Sequence, residues 1–401
     1  MLAAWSALWC AILAPGGGIA WKFFVQGTDV LFTSHGSAAA SQPGLHLYAA
    51  YPQLQIGPAA YAVAEVLRQI GPDYGLVAAE IVMTALGMLV IAMTQRIAVI
   101  VRPGLTAQPG RLRLYLLVAG AFFVIAWAEL AVAFGHLDDC LAITCAVAAV
   151  WIWIVPQAPA PVRAAFMGVS AGLAAAAKPW AFVFLPVILL PLAPAARGRR
   201  GTAGGWAVAI AVAGVAVVTL AAWLPFFLGD PGTSNAVHYQ IANMPDSALR
   251  ALGVSTARTP SWDRSVQIGL GCVLGLVAIV RRRWAALILL GAGARIALDP
   301  GVHKYYTPEV MAGALLWELL GQRRPWPVWT VLAFLALNMA PVLTGDNPLL
   351  GDIRLGLVIA FTAAVLLGPS RWYWRPSCGE PSGDPAGGDQ QVGPGLPDAP
   401  G

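Results

Sequence analysis

The chain is a succession of apolar stretches, each close to the roughly 20 residues that cross a bilayer, and the breaks between them carry arginine. That rhythm leaves few alternatives. In hydrocarbon every backbone N–H and C=O must be satisfied within a helix or a closed barrel, and long apolar runs without alternation read as helices. The expected fold class is all-α, a polytopic transmembrane helical bundle. Composition agrees: 58% of the 401 residues are hydrophobic, 11% are charged and mean hydropathy is +0.70, outside the range of soluble domains.

Arginine sets the orientation. Arg96, Arg102, Arg111 and Arg113, then Arg163, then Arg197, Arg199 and Arg200, then Arg281, Arg282 and Arg283, then Arg323 and Arg324, then Arg371 and Arg375 mark cytoplasmic breaks. Between them the expected helices lie near 2–20, 75–95, 112–135, 139–156, 163–177, 180–195, 203–228, 266–281, 284–298, 307–320, 326–344 and 353–369, about twelve spans. Both termini then face the cytoplasm, and the protein belongs in the cytoplasmic (inner) membrane as a multi-pass chain. The first segment has no positive n-region and reads as an uncleaved helix.

Residues 57–70 are too short to span and carry Glu65 and Arg68, which suits an interfacial helix on the outer side. Lys178 and Pro179 separate two short apolar helices and should sit at the outer lip. A transmembrane domain over 1–370, with long outer connections near 21–56 and 229–265, precedes a Gly-, Pro- and Asp-rich tail over 371–401 that is expected to be disordered and cytoplasmic. The five cysteines lack zinc or redox spacing, and no disulfide framework is expected. The formal net charge of +5 comes largely from arginines in short loops, an orientation signal and not a nucleic-acid surface.

The acids are sorted oppositely. Of fifteen acidic residues before the tail, none falls in a cytoplasmic loop, and most fall in outer loops or at outer helix ends. Avoidance of cytoplasmic loops is generic, but ionisable groups within spans cost roughly 2.5–3.5 kcal/mol each on insertion scales and tend to mark functional paths. The densest group is "AFGHLDDCLAITC", residues 133–145, which places His136, Asp138 and Asp139 at the mouth of a span. A helix cap would need one aspartate, and here there are two.

Several stretches carry a family resemblance: "VQGTDVLF" followed by "LHLYAAYPQLQIGP" at 45–58, "GHLDDCLA" at 135–142, "AAAKPWAFVFLPV" at 175–187, "RTPSWDRSVQ" at 258–267 and "LDPGVHKYYTPEV" at 298–310. Together, over most of residues 1–370, they resemble bacterial multi-spanning membrane proteins of the GT-C glycosyltransferase fold and, more distantly, polyprenyl-phosphate-mannose-dependent mannosyltransferases. The resemblance implies a hexosyltransferase that moves a mannose-like sugar from a polyprenyl-phosphate-linked donor, among membrane lipids, to a glycan or glycolipid acceptor on the outer face. It also implies an acid in the first outer loop as base, which falls on Asp29, and a second acidic site before the fourth span, which falls on Asp138 and Asp139.

Such chemistry needs a base for the acceptor hydroxyl and cations for the departing phosphate. Lys178, Lys304, His303 and Arg264 have the chemistry for the second task. Tyr305 and Tyr306 beside His303 would line a sugar subsite, although Tyr also gathers at membrane interfaces, and His136 is a further candidate for binding substrate. His136, Asp138 and Asp139 offer an oxygen and imidazole donor set suited to Mg or Mn, without diagnostic spacing. Two other classes stay open: a secondary transporter, from the span count and the break at Lys178–Pro179, and a non-catalytic protein that binds lipid or a partner through its outer loops.

Overall fold

The structure, a computed structural model, describes residues 1–32, 44–71, 74–105, 108–156, 158–193 and 203–369. The tail, Asp73, Arg197, Arg199, Arg200, Arg371, Arg375 and Cys378 lie outside the described residues, as does the middle of the first outer connection.

Among the described residues the chain is helical, with an isolated extended bridge between Ala242 and Arg258. Seven helices are long and apolar enough to cross a membrane: Gly75–Val101, Pro109–Phe134, Leu137–Ile154, Ala160–Ala177, Gly204–Gly229, Asp263–Val280 and Asn347–Leu367. The shorter apolar helices Leu2–Leu13, Pro179–Leu192, Trp284–Leu298 and Val328–Leu343, together with Thr307–Leu320, bring the bundle near the dozen implied by the apolar rhythm. Pro58–Arg68 is a separate amphipathic helix, as residues 57–70 suggested.

Several boundaries differ from the sequence expectation: Gly75–Val101 continues past 95 and carries Arg96 within the helix, and Asn347–Leu367 begins well before 353. The first helix ends at Leu13 and not near residue 20, because Pro15 and the glycines at 16–18 interrupt it; Gly16 and Gly18 take positive φ of 83° and 74°. The first outer connection then begins not as a loop but as a helix, Trp21–Phe32, which carries Asp29. Its packing against Pro58–Arg68 depends on Gly27, where a Cβ would lie 2.1 Å from the Tyr61 ring.

Charge is sorted along the helices. Asp138, Asp139, Asp263 and Glu309 stand in first turns, where a carboxylate complements the positive helix end. Arginines close the opposite ends: Arg102 donates to the carbonyls of Leu319 at 2.7 Å and Arg323 at 3.0 Å, Arg163 to Trp153 O at 2.6 Å, Arg281 to Leu366 O at 2.6 Å and Arg283 to Gly368 O at 2.8 Å. Glu318 breaks the pattern. It is buried near the arginine end, where Tyr115 Oη at 2.8 Å and Thr330 Oγ1 at 2.6 Å donate to it.

Candidate functional site

Three local irregularities of the backbone build the acidic end of the bundle. Residues Glu129–Phe134 form a π-helical turn, a geometry common at functional positions, and Gly135 ends it at φ 67°. A Cβ at Gly135 would come within 2.9 Å of Gly18 Cα, so the turn needs glycine for both space and conformation. His136 then N-caps Leu137–Ile154 and aims the acids of its first turn inward. Across from them, Ala160–Ala177 stops at Lys178, whose backbone is extended at φ −148° and ψ 121°, and Pro179 opens a 3₁₀ segment with two further prolines, Pro186 and Pro191.

These turns bring the two halves of the site together. Lys178 Nζ is bonded to Asp138 Oδ2 and lies 3.4 Å from Asp139 Oδ2. Asp138 Oδ1 accepts the Asp139 backbone N–H at 3.0 Å, and Asp139 Oδ1 accepts Trp180 Nε1 at 2.8 Å. His136 Nδ1 lies 3.5 Å from Asp138 Oδ1 and 3.4 Å from Asp139 Oδ2. Both aspartates are buried, at 0% and 1% exposure, and one oxygen of each, Asp138 Oδ2 and Asp139 Oδ1, is taken by a side chain of another segment, so capping alone does not account for them. Two atoms are left over. His136 Nδ1 and Asp139 Oδ2 are buried and make no hydrogen bond.

A buried arginine completes the cluster. Arg295 Nη1 sits 2.7 Å from Glu309 Oε2 and 3.6 Å from Asp139 Oδ1, while its Nε lies 3.4 Å from Asp299 Oδ2. Its guanidinium is sandwiched between the rings of Trp180 and Tyr306. Tyr305 forms the outer wall, tilted on His136 with centroids 4.0 Å apart and stacked on His303 at 4.8 Å. Beyond Tyr306 a small cavity is lined by Asp299, His303, Leu337 and Arg354.

Electrostatics follow from this burial. Burial pulls the Lys178 ammonium down, but Asp138 and then Asp139 outweigh it and hold the group above the usual lysine range, so it stays protonated. Burial first, then the nearby Asp139, pushes the Tyr305 hydroxyl up; burial and Asp138 do the same to Tyr61. Both phenols remain neutral.

Of the residues singled out in the sequence, His136, Asp138, Asp139, Lys178, His303, Tyr305 and Tyr306 converge here. Lys304 lies in the same 3₁₀ turn as the tyrosines. Asp29 stands apart from that network of contacts, half-exposed on its helix and paired with Arg68 at 2.7 Å. Arg264 ties the two long connections together, donating to Gln55 Oε1 at 2.8 Å and Tyr239 O at 3.0 Å.

No family model matches the chain, and no curated protein does. Among solved structures it is similar to the crystal structure of ArnT from Cupriavidus metallidurans in the apo state, with 16% identity and a TM-score of 0.46 over 90% of this chain and 74% of that one. It is also similar to the structure of the same protein bound to undecaprenyl phosphate, with 16% identity and a TM-score of 0.43 over 91% of this chain and 75% of that one.

Arg295, Glu309 and Trp180 are the members that sequence reading missed. One signal was available: in "LILLGAGARIAL" an arginine interrupts an otherwise apolar helix, a costly placement that calls for a partner. Nothing in the sequence indicated that the partners would be Glu309, 14 positions on, and Asp139.

Proposed function

We propose that the protein is a membrane glycosyltransferase of the GT-C type that moves a mannose-like sugar from a polyprenyl-phosphate carrier to a glycan or glycolipid acceptor on the outer face of the cytoplasmic membrane. The observation that carries this reading is a buried carboxylate oxygen without a hydrogen-bond partner, Asp139 Oδ2, 3.4 Å from a protonated lysine. An acid and a cation side by side are what glycosyl transfer from a phosphate carrier requires, since one accepts a proton while the other receives negative charge.

The acceptor hydroxyl gives its proton to Asp139 Oδ2, its oxygen bonds the anomeric carbon, and the carbon–oxygen bond to phosphate breaks with both electrons on the phosphate. Lys178 faces that developing charge. Asp138 holds Lys178 in place, His136, Tyr305 and His303 form an aromatic wall of the sugar subsite behind which Tyr306 packs on Arg295, and Lys304 and Arg264 add positive charge at the outer rim. A positioned base of this kind contributes about 10²–10⁴-fold.

The test is product formation by the purified full-length protein with polyprenyl-phosphate-linked mannose and a panel of glycan and glycolipid acceptors. Absence of product with every donor and acceptor, together with unchanged cellular glycans in Asp139→Asn cells, sinks the reading. A second reading, a secondary transporter, draws on the unwound backbone at Lys178 between two helical segments. Substrate-dependent flux in proteoliposomes, lost in Lys178→Ala, would favour it.

A further inference from the structure

An imidazole and two carboxylates stand where a divalent ion would be sought. One ligand atom from each of His136, Asp138 and Asp139 lies within 4.8 Å of the others. The donor types suit Mg or Mn, yet the oxygens that would converge on an ion already converge on something else. Lys178 Nζ is bonded to Asp138 Oδ2 and lies 3.4 Å from Asp139 Oδ2.

We infer that Lys178 is the resident cation of the carboxylate pair, its ammonium filling the position a divalent metal would take, so that the site works without a metal ion. This deepens the glycosyltransferase reading and rests on it only for the activity arm of the test below.

Three observations carry it. The ammonium is delivered by the backbone: Pro179 ends the helix at Lys178, and the Gly57 N–H bonds Ala177 O at 2.9 Å, which pins the turn from outside. The Lys178 side chain is 14% exposed, so it does not snorkel to water as a surface lysine would. The remaining acceptor positions on Asp139 are also taken up from within the protein, since Trp180 Nε1 donates to its Oδ1 at 2.8 Å and Arg295 Nη1 lies 3.6 Å from that oxygen. A doubly charged ion entering this space would face the ammonium at close range in a medium that screens poorly. It would have to displace Lys178 to reach both carboxylates.

The experiment uses Mn²⁺ alone as the probe on full-length protein in detergent, followed by electron paramagnetic resonance. Wild type should show no saturable Mn²⁺ site that depends on Asp138. Lys178→Ala removes the ammonium and should gain one, with affinity raised by about tenfold or more, and Lys178→Ala/Asp138→Ala should lose it again. Mn²⁺ binding by wild type that disappears in Asp138→Asn overturns the inference, as does a monodisperse Lys178→Ala or Lys178→Gln protein that gains no site. If neither variant is recovered folded, the wild-type measurement decides alone. In the activity arm, transfer from lipid-linked sugar should be unaffected by EDTA; loss on chelation with recovery on adding Mg²⁺ or Mn²⁺ also overturns it. Mn²⁺ binding needs no substrate, so a failed glycosyltransferase reading and a failed resident-cation inference give different results.

Discussion

The guanidinium carbon of Arg295 lies 3.8 Å from the centroid of the Trp180 ring, and the edge of that same ring donates its indole N–H to Asp139. One side chain thus holds both a buried cation by its face and a buried anion by its edge. Tyr306 closes the other face of the guanidinium at 4.0 Å, so Arg295 meets carboxylates only in its own plane. The arrangement fixes Asp139 Oδ1 and leaves the buried Oδ2 without a hydrogen bond.

Arg295→Met should destabilise the bundle by about 3–5 kcal/mol, because it strands Glu309 as a buried charge without its partner. Arg295→Met/Glu309→Gln should recover part of that loss, since Glu309 then needs no partner while Asp139 and Asp299 still lack theirs. Thermal unfolding of the three proteins in one detergent checks this; additive losses would contradict the pairing.

Asp139→Asn should lower sugar transfer by about 10²-fold or more while the protein still elutes as a single species, because an amide of the same shape keeps an oxygen for Trp180 but cannot accept a proton as a carboxylate does. Initial rates at saturating donor are the measurement. Full activity in this variant would remove Asp139 from the chemistry.

Asp29 can be separated from stability. Its pair with Arg68 is half-exposed, and such pairs contribute about 0–1 kcal/mol, so Asp29→Asn should leave the unfolding midpoint nearly unchanged. If Asp29 acts as a base, turnover should fall by about 10²-fold all the same. Unchanged turnover would leave it a helix-surface partner of Arg68.

Gly57→Ala tests how the outer connection supports Lys178. The added methyl carbon would lie 2.1 Å from Ala176 O and 2.6 Å from the Ala177 carbonyl, both backbone atoms that cannot swing aside. Destabilisation of about 1–3 kcal/mol is expected from such overpacking, with transfer activity reduced further than stability. A protein as stable and active as wild type would show that the turn before Lys178 tolerates displacement.

Orientation is checked by labelling single cysteines in a cysteine-free background of intact cells. His303→Cys, exposed beside the carboxylate cluster, should react with a membrane-impermeant maleimide, whereas Arg282→Cys should react only after permeabilisation. The reverse pattern would put the acidic end in the cytoplasm.

Much of this molecule was legible before any coordinates. Span length and the arginine breaks located most of the long helices closely, while Gly75–Val101 and Asn347–Leu367 run beyond the expected 95 and 353, because a helix continues past the hydrocarbon wherever no breaker stops it. "GHLDDCLA" and Lys178–Pro179 were recognisable because a charge doublet and a proline are local exceptions to an apolar pattern. The break after Leu13 was missed, although Pro15 and the adjacent glycines announce it, because the apolar residues beyond them prolong the run.

The sequence by itself determined that the chain is a helical bundle, which helix ends carry acid and which carry arginine, and which segments cannot continue as helix. Only the tertiary structure decided that Lys178 meets Asp138, that Arg295 lies between Trp180 and Tyr306, and that Asp29 pairs with Arg68 instead. The physical reason is that apolar helices satisfy their backbones alone, whereas a buried charge must find its partner across the bundle, and those distances are not written along the chain.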